Sequence, residues 1–211
     1  MPAFRELVDG YKRFRTGRWR YEQALYERLG EGQSPGTMVI GCADSRVEPA
    51  EIFDTIPGQM FVVRNVANLV PPYEVGGGLH GVSAALEFAV KALKVRYILV
   101  VGHCSCGGIR AAVEALDGGS SGEFIAPWVE IAAEARARVL ERMPDADADE
   151  IAAALEHEAI RSSIANLMTF PFVREAVEAG ALTLRGAWFE IGSGDLLVLD
   201  ESTGKFEKVV V

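Results

Sequence analysis

At 211 residues with 49% hydrophobic composition, the chain can bury one substantial core, and nothing in its length requires a second domain. A formal net charge of −9 excludes nucleic acid and anionic lipid as main partners, because an acidic surface repels both. No apolar run approaches the roughly 18 residues of a membrane span, and the start lacks the apolar core and small-residue cleavage site of a secretory signal, so the cytoplasm is the expected compartment.

The expected organisation is one domain over 1–211 with a helical arm over 1–32. Phe4, Leu7, Val8 and Tyr11 recur at helical spacing, and a second helical stretch carrying Trp19, Leu25, Tyr26 and Leu29 stops at Gly30. The stretch Phe4 to Arg20 is basic with interleaved aromatics, which reads as an amphipathic packing arm. From Thr37 to Gly41 the residues turn β-branched and apolar, a buried strand that delivers Cys42 at its C-terminal end. Pro49 suits the first turn of a short helix. Met60 to Val63 reads as a second strand, and after Gly76, Gly77 and Gly78 a helix runs from Leu79 to Leu93. Tyr97 to Val101 is a third strand, an almost unbroken apolar run leading to His103.

Gly107 and Gly108 open a helix toward Leu116, placing Cys106 near its N-terminus. Helices are expected over Trp128 to Met143 and Glu150 to Met168, separated by the Pro-marked segment Pro144 to Asp149. Gly180 stops one more helix. Strands over Leu182 to Glu190 and Leu196 to Asp200 form a hairpin about the turn at Gly192 to Gly194. The fold class is therefore α/β, a parallel-core β-sheet flanked by helices, with an N-terminal helical arm and a C-terminal strand hairpin.

Three cysteines, two of them separated only by Ser105, make a poor disulfide framework and a reasonable metal-ligand set. Ligands of such sheets gather beyond the carboxyl ends of the strands, where Cys42, Asp44, Arg46 and His103 all fall. Two cysteines and a histidine form an ordinary catalytic zinc set that leaves a fourth tetrahedral position open. Cys104 is an alternative ligand in the same loop, and spacing alone does not bring His103 to Cys42.

A family resemblance carried by three segments supplies that link. Cys42-Ala43-Asp44-Ser45-Arg46, then Phe61 to Val70, then Gly102-His103 with Cys106-Gly107-Gly108 closely resemble the β-carbonic anhydrases, over most of residues 33 to 116. The resemblance implies Zn2+ held by Cys42, His103 and Cys106, an Asp44–Arg46 catalytic dyad, and reversible hydration of carbon dioxide to bicarbonate by a zinc-bound hydroxide that the dyad orients. It implies a homodimer or homotetramer. It also matches Gln33, Phe61 and Val66 to the substrate pocket of the plant-type subgroup, with Gly107 offering a backbone N–H. Phe88 departs from that pattern, which has a tyrosine. Val39 and Phe189 stand where another subgroup carries the aromatics of a noncatalytic bicarbonate site, leaving only Arg64 of that set.

Other functions compete for parts of the pattern. The same scaffold can hydrolyse carbonyl sulfide or carbon disulfide, and a noncatalytic zinc-binding scaffold would keep the ligands but has no need of Asp44 and Arg46. The glycine run lacks the preceding strand and following Lys-Ser/Thr pair of a phosphate loop, so no nucleotide is assigned to it. His80 opens a helix near the expected pocket mouth, where a proton relay competes with a structural role. His157, between Glu156 and Glu158, is expected on a solvated helix face. Trp188, Phe189 and Val209 to Val211 are expected to be core or subunit contacts.

Overall fold

A computed structural model describes residues 3–76, 80–115 and 122–211. The expected helix start at Leu79, the glycines Gly77 and Gly78, and the helix end at Leu116 lie outside the described residues. The chain divides into two compact units, Met1–Ser34 and Pro35–Val211.

The described residues of the first unit form three helices, α1 (Phe4–Thr16), α2 (Arg18–Tyr21) and α3 (Gln23–Glu31). None contains a buried residue. Within the unit, Tyr26 meets Phe14 edge-on and stacks on Trp19, and the Arg15 guanidinium lies 3.6 Å above the Trp19 ring. Phe4, Leu7 and Tyr11 stay exposed along one helical stripe.

The second unit is built on one six-stranded sheet in the order β2-β1-β3-β4-β5-β6. The strands are β1 (Thr37–Cys42), β2 (Met60–Asn65), β3 (Tyr97–His103), β4 (Thr183–Phe189), β5 (Leu196–Leu199) and β6 (Phe206–Lys208). The first four are parallel, β5 adds antiparallel to β4, and β6 antiparallel to β5. Of the apolar runs expected to be buried on both faces, β1 is so, with Met38, Val39 and Ile40 fully buried, whereas in β3 Ile98 and Val100 are fully buried on one face and on the other Val101 is buried, Leu99 partly buried and Tyr97 exposed. The expected hairpin is present as β4 and β5. The third C-terminal strand, β6, is not expected from the sequence, because three residues within a polar stretch give no period-two signal.

The expected helices form with altered internal structure. After α4 (Pro49–Ile52), the helix leading to β3 is α5 (Gly81–Glu87), which widens into a π-helical segment over Phe88–Leu93. The next helix is α6 (Gly107–Glu114). The stretch expected as one helix from Trp128 is α7 (Ile125–Val129) and α8 (Ala133–Arg142) joined by a tight turn at Glu130–Ala132. The longest helix, α9 (Ala148–Leu167), starts at a full capping box in which Asp147 accepts from the N–H groups of Asp149 and Glu150, and Glu150 accepts from that of Asp147. Finally α10 (Pro171–Glu178) leads to β4. Among the described residues no helix is long and apolar enough to cross a membrane.

Two side-chain expectations are corrected. His157 does not lie on a solvated face. It packs between the rings of Trp188, 4.9 Å away, and Phe206, 4.5 Å away, because β6 returns over α9. Of the two roles expected of Val209 to Val211, core or subunit contact, the core one is corrected: they are exposed in this chain, beyond β6, the edge strand of the sheet. Trp188 and Phe189 are partly buried, as expected of core-facing positions.

Candidate metal centre

Adjacent parallel strands bring the first two functional side chains together. Gly41 on β1 pairs with Val101 on β3, so Cys42 and His103 leave the sheet side by side at its carboxyl edge. The chain then turns through Ser105, whose φ of 52° lies in the left-handed region, and Cys106 caps the start of α6. The sulfur and imidazole donor atoms of Cys42, His103 and Cys106 come within 4.8 Å of one another, and all three residues are buried.

The donor set fits zinc. The sulfurs of Cys42 and Cys106 stand 3.9 Å apart, and two thiolates at about 2.3 Å from a tetrahedral zinc are separated by about 3.8 Å. His103 Nδ1 lies 2.9 Å from the carbonyl oxygen of Cys104, which can only accept, so Nδ1 carries the proton. That leaves the Nε2 lone pair buried and, among the described residues, without a hydrogen-bond partner, as a metal ligand requires.

The three groups shift one another's ionisation. Cys42 is the more acidic thiol: Cys106 hydrogen-bonds to it and lowers its pKa, burial opposes, and His103 with the backbone N–H groups of Asp44 and Ala67 adds to the lowering. The pKa of Cys106 is driven up by the same neighbouring thiolate and by burial. A divalent cation between the sulfurs removes that repulsion. Burial pushes the His103 pKa down, but the Cys42 sulfur and the Cys104 carbonyl prevail and raise it. Cys104 stands apart, its sulfur accepting the Ile191 N–H at 3.3 Å.

Asp44 and Arg46 form a bidentate pair, with Nε at 2.9 Å and Nη2 at 2.7 Å from the two carboxylate oxygens. The Arg46 backbone N–H adds a third bond to Asp44. Arg46 therefore holds the Asp44 carboxyl far below the usual carboxylate range, against the opposing effect of burial. The same guanidinium donates to the Ser105 carbonyl at 3.0 Å, tying the dyad to the loop that carries Cys106.

Arg64, considered in the sequence only as a remnant of another subgroup's bicarbonate site, organises the Cys42 loop. It donates to the carbonyls of Cys42 at 2.8 Å, Asp44 at 2.6 Å and Val47 at 2.8 Å, and pairs with Glu48. Its position opposite Gly41 in the β1–β2 register makes that reach possible. Asn65 closes the following loop through bonds to Leu69, where Ala67 and Asn68 both adopt positive φ. These roles carry no sequence signal because they are bonds to backbone groups.

The expected pocket residues fall at several points of the fold. Phe61 and Phe88 form a ring pair 5.8 Å apart, with Phe88 partly solvent-facing. Val66 packs against Gly108 at the start of α6, and its carbonyl accepts the Trp128 indole N–H at 2.8 Å. Gly107 is the first residue of α6, with open space beside it. Gln33 falls in the N-terminal unit and is exposed there. His80 lines a cavity of about 470 Å3 together with Arg64, Val63 and Trp128.

A family model described as carbonic anhydrase matches residues 37–196. Beta carbonic anhydrase 3 of Arabidopsis thaliana is 38% identical over 207 residues, covering 96% of this chain and 80% of that protein. Among solved structures, the β-carbonic anhydrase CcaA superposes with a TM-score of 0.92 at 29% identity, covering 98% of this chain and 92% of that one. A tetrameric β-carbonic anhydrase of Sordaria macrospora superposes at 0.83 and 29% identity, covering 93% and 96%. With the Cys-His-Cys cluster at the carboxyl edge of the sheet, these likenesses establish that the chain belongs to the β-carbonic anhydrase family.

Proposed function

We propose that this chain catalyses the reversible hydration of carbon dioxide to bicarbonate and a proton, using zinc held by Cys42, His103 and Cys106. The observation that carries the reading is the conjunction of the buried Cys-His-Cys donor set with an Asp44 carboxylate kept ionised beside it. Zinc in such a site supplies Lewis acidity and makes the water it binds acidic near neutral pH.

The chain's own residues do the rest. Asp44 is too weak a base at neutral pH to take the proton, because Arg46 holds it so far down. It serves as a hydrogen-bond acceptor that fixes the direction of the attacking oxygen, while Arg46 fixes the carboxylate itself through two parallel bonds. Phe61, Phe88 and Val66 provide apolar walls suited to a small apolar substrate, and the Gly107 N–H suits an oxygen of the anionic product. The proton released passes to solvent or buffer. A homodimer or homotetramer in the cytoplasm is the assembly and location we infer, in keeping with the tetrameric relative.

The test is a pair of variants. Asp44→Ala is expected to keep its metal and lose most activity, and Cys106→Ser to lose both. Full activity in Asp44→Ala would sink the mechanism.

A further inference from the structure

The peptide unit joining Ser105 to Cys106 is held at both of its polar ends. Its carbonyl accepts from Arg46 Nη2 at 3.0 Å, and its N–H donates to Glu156 Oε1 at 3.0 Å. In a trans peptide these two groups point in opposite directions, so the two side chains grip the unit from opposite sides. Glu156 comes from the middle of α9, fifty residues along the chain, and is only 5% exposed. Its other oxygen accepts the Trp188 indole N–H at 3.1 Å. A buried carboxylate is costly unless its oxygens are bonded, and here both are.

Two further features tie this arrangement to the ligand set. Ser105 adopts a left-handed conformation, which a non-glycine residue keeps only where its surroundings impose it. Cys106 occupies the N-cap position of α6, directly after that peptide, and its sulfur faces Cys42 at 3.9 Å. The direction of that sulfur therefore depends on the orientation of the preceding peptide.

We propose that Glu156 is a positioning residue of the metal centre, fixing the Ser105–Cys106 peptide opposite Arg46 and so aiming the Cys106 sulfur; the inference rests on the metal site proposed above. Because Arg46 reaches the same peptide and Asp44, the restraint extends to the dyad.

Glu156→Gln tests this. The substitution keeps the side chain's shape, but its amide NH2 faces one of the two N–H donors and cannot accept from it. The expected result is an unchanged far-ultraviolet circular dichroism spectrum, zinc affinity lowered about 10- to 100-fold in chelator competition, and a displaced thiolate-to-metal charge-transfer band in the cobalt(II)-loaded protein. Trp188→Phe, which frees one carboxylate oxygen, is expected to weaken zinc about fivefold. If Glu156→Gln fails to fold, Trp188→Phe decides by the same two readings. Wild-type zinc affinity and an unaltered cobalt spectrum in the folded variants would overturn the positioning role while leaving the proposed function standing. A wild-type chain that takes up no zinc would overturn both.

Discussion

A β-carbon on Gly102 would stand 2.8 Å from Cδ1 of Ile160, so α9 rests directly on the strand residue that precedes His103. Ile160 has no room to retreat. On its other side a β-carbon on Gly186 would meet its Cγ2, also at 2.8 Å, and Ile160 is fully buried. Two glycines on neighbouring strands thus form the slot for one side chain.

Gly102→Ala is therefore expected to destabilise the protein by about 1–3 kcal/mol through overpacking. Adding Ile160→Val removes the clashing Cδ1 and should recover part of that loss. Denaturant unfolding of both single variants and the double variant checks this, and strictly additive losses would show that the two positions do not share the slot.

Gly108 is the corresponding close approach at the metal centre. A β-carbon there would stand 2.5 Å from Val66 Cγ1 and 3.2 Å from the Ala67 backbone nitrogen. The backbone cannot yield as a side-chain tip does, so Gly108→Ala should shift the start of α6 away from the Val66 turn and take Cys106 with it. Weaker zinc retention under chelator competition is the expected outcome, accompanied by about 1–3 kcal/mol of lost stability.

Glu158 contributes to the acid limb of stability. It is buried, which favours its neutral form, but Arg138 at 2.8 Å and Arg142 at 3.1 Å outweigh burial and lower its pKa; Arg161 stands at 3.5 Å. With the folded pKa below the unfolded one, this contribution is complete above about pH 4.3 and fades as pH falls through the folded value. Glu158→Gln should cost about 1–3 kcal/mol at neutral pH and flatten the loss of stability below about pH 4.3. Unfolding curves at several pH values measure both effects.

Removing the metal should leave the sheet folded but weaken it. Cys42 and Cys106 then resist joint ionisation, and the repulsion is relieved only by a cation. Thermal unfolding of chelator-treated protein is expected to shift upward on adding an equivalent of zinc, and no shift would contradict the ligand assignment.

The strands that set the site were legible because their burial is written in composition. Thr37 to Gly41 and Tyr97 to Val101 are apolar on both faces, so their ends could be placed and Cys42 with His103 located at them. The choice of Cys106 over Cys104 needed the family resemblance; in the structure it follows from the Ser105 turn, which sends the Cys104 sulfur toward Ile191 and that of Cys106 toward Cys42. Glu156, Trp188 and Arg64 were not legible in these roles. Each acts through long-range bonds, to one another or to backbone groups, and neither helical period nor local spacing encodes such partners. Phe206 escaped for a different reason: its strand is too short to show alternation, and with it went the packing of His157.

The most direct test of the central claim is stopped-flow carbon dioxide hydration on the purified chain from about pH 6.5 to 9, a range that brackets the acidified water, with bound metal quantified on the same sample. Activity is predicted to rise with pH at about one zinc per chain. Bound zinc at that ratio with no hydration at any pH would contradict the proposed function.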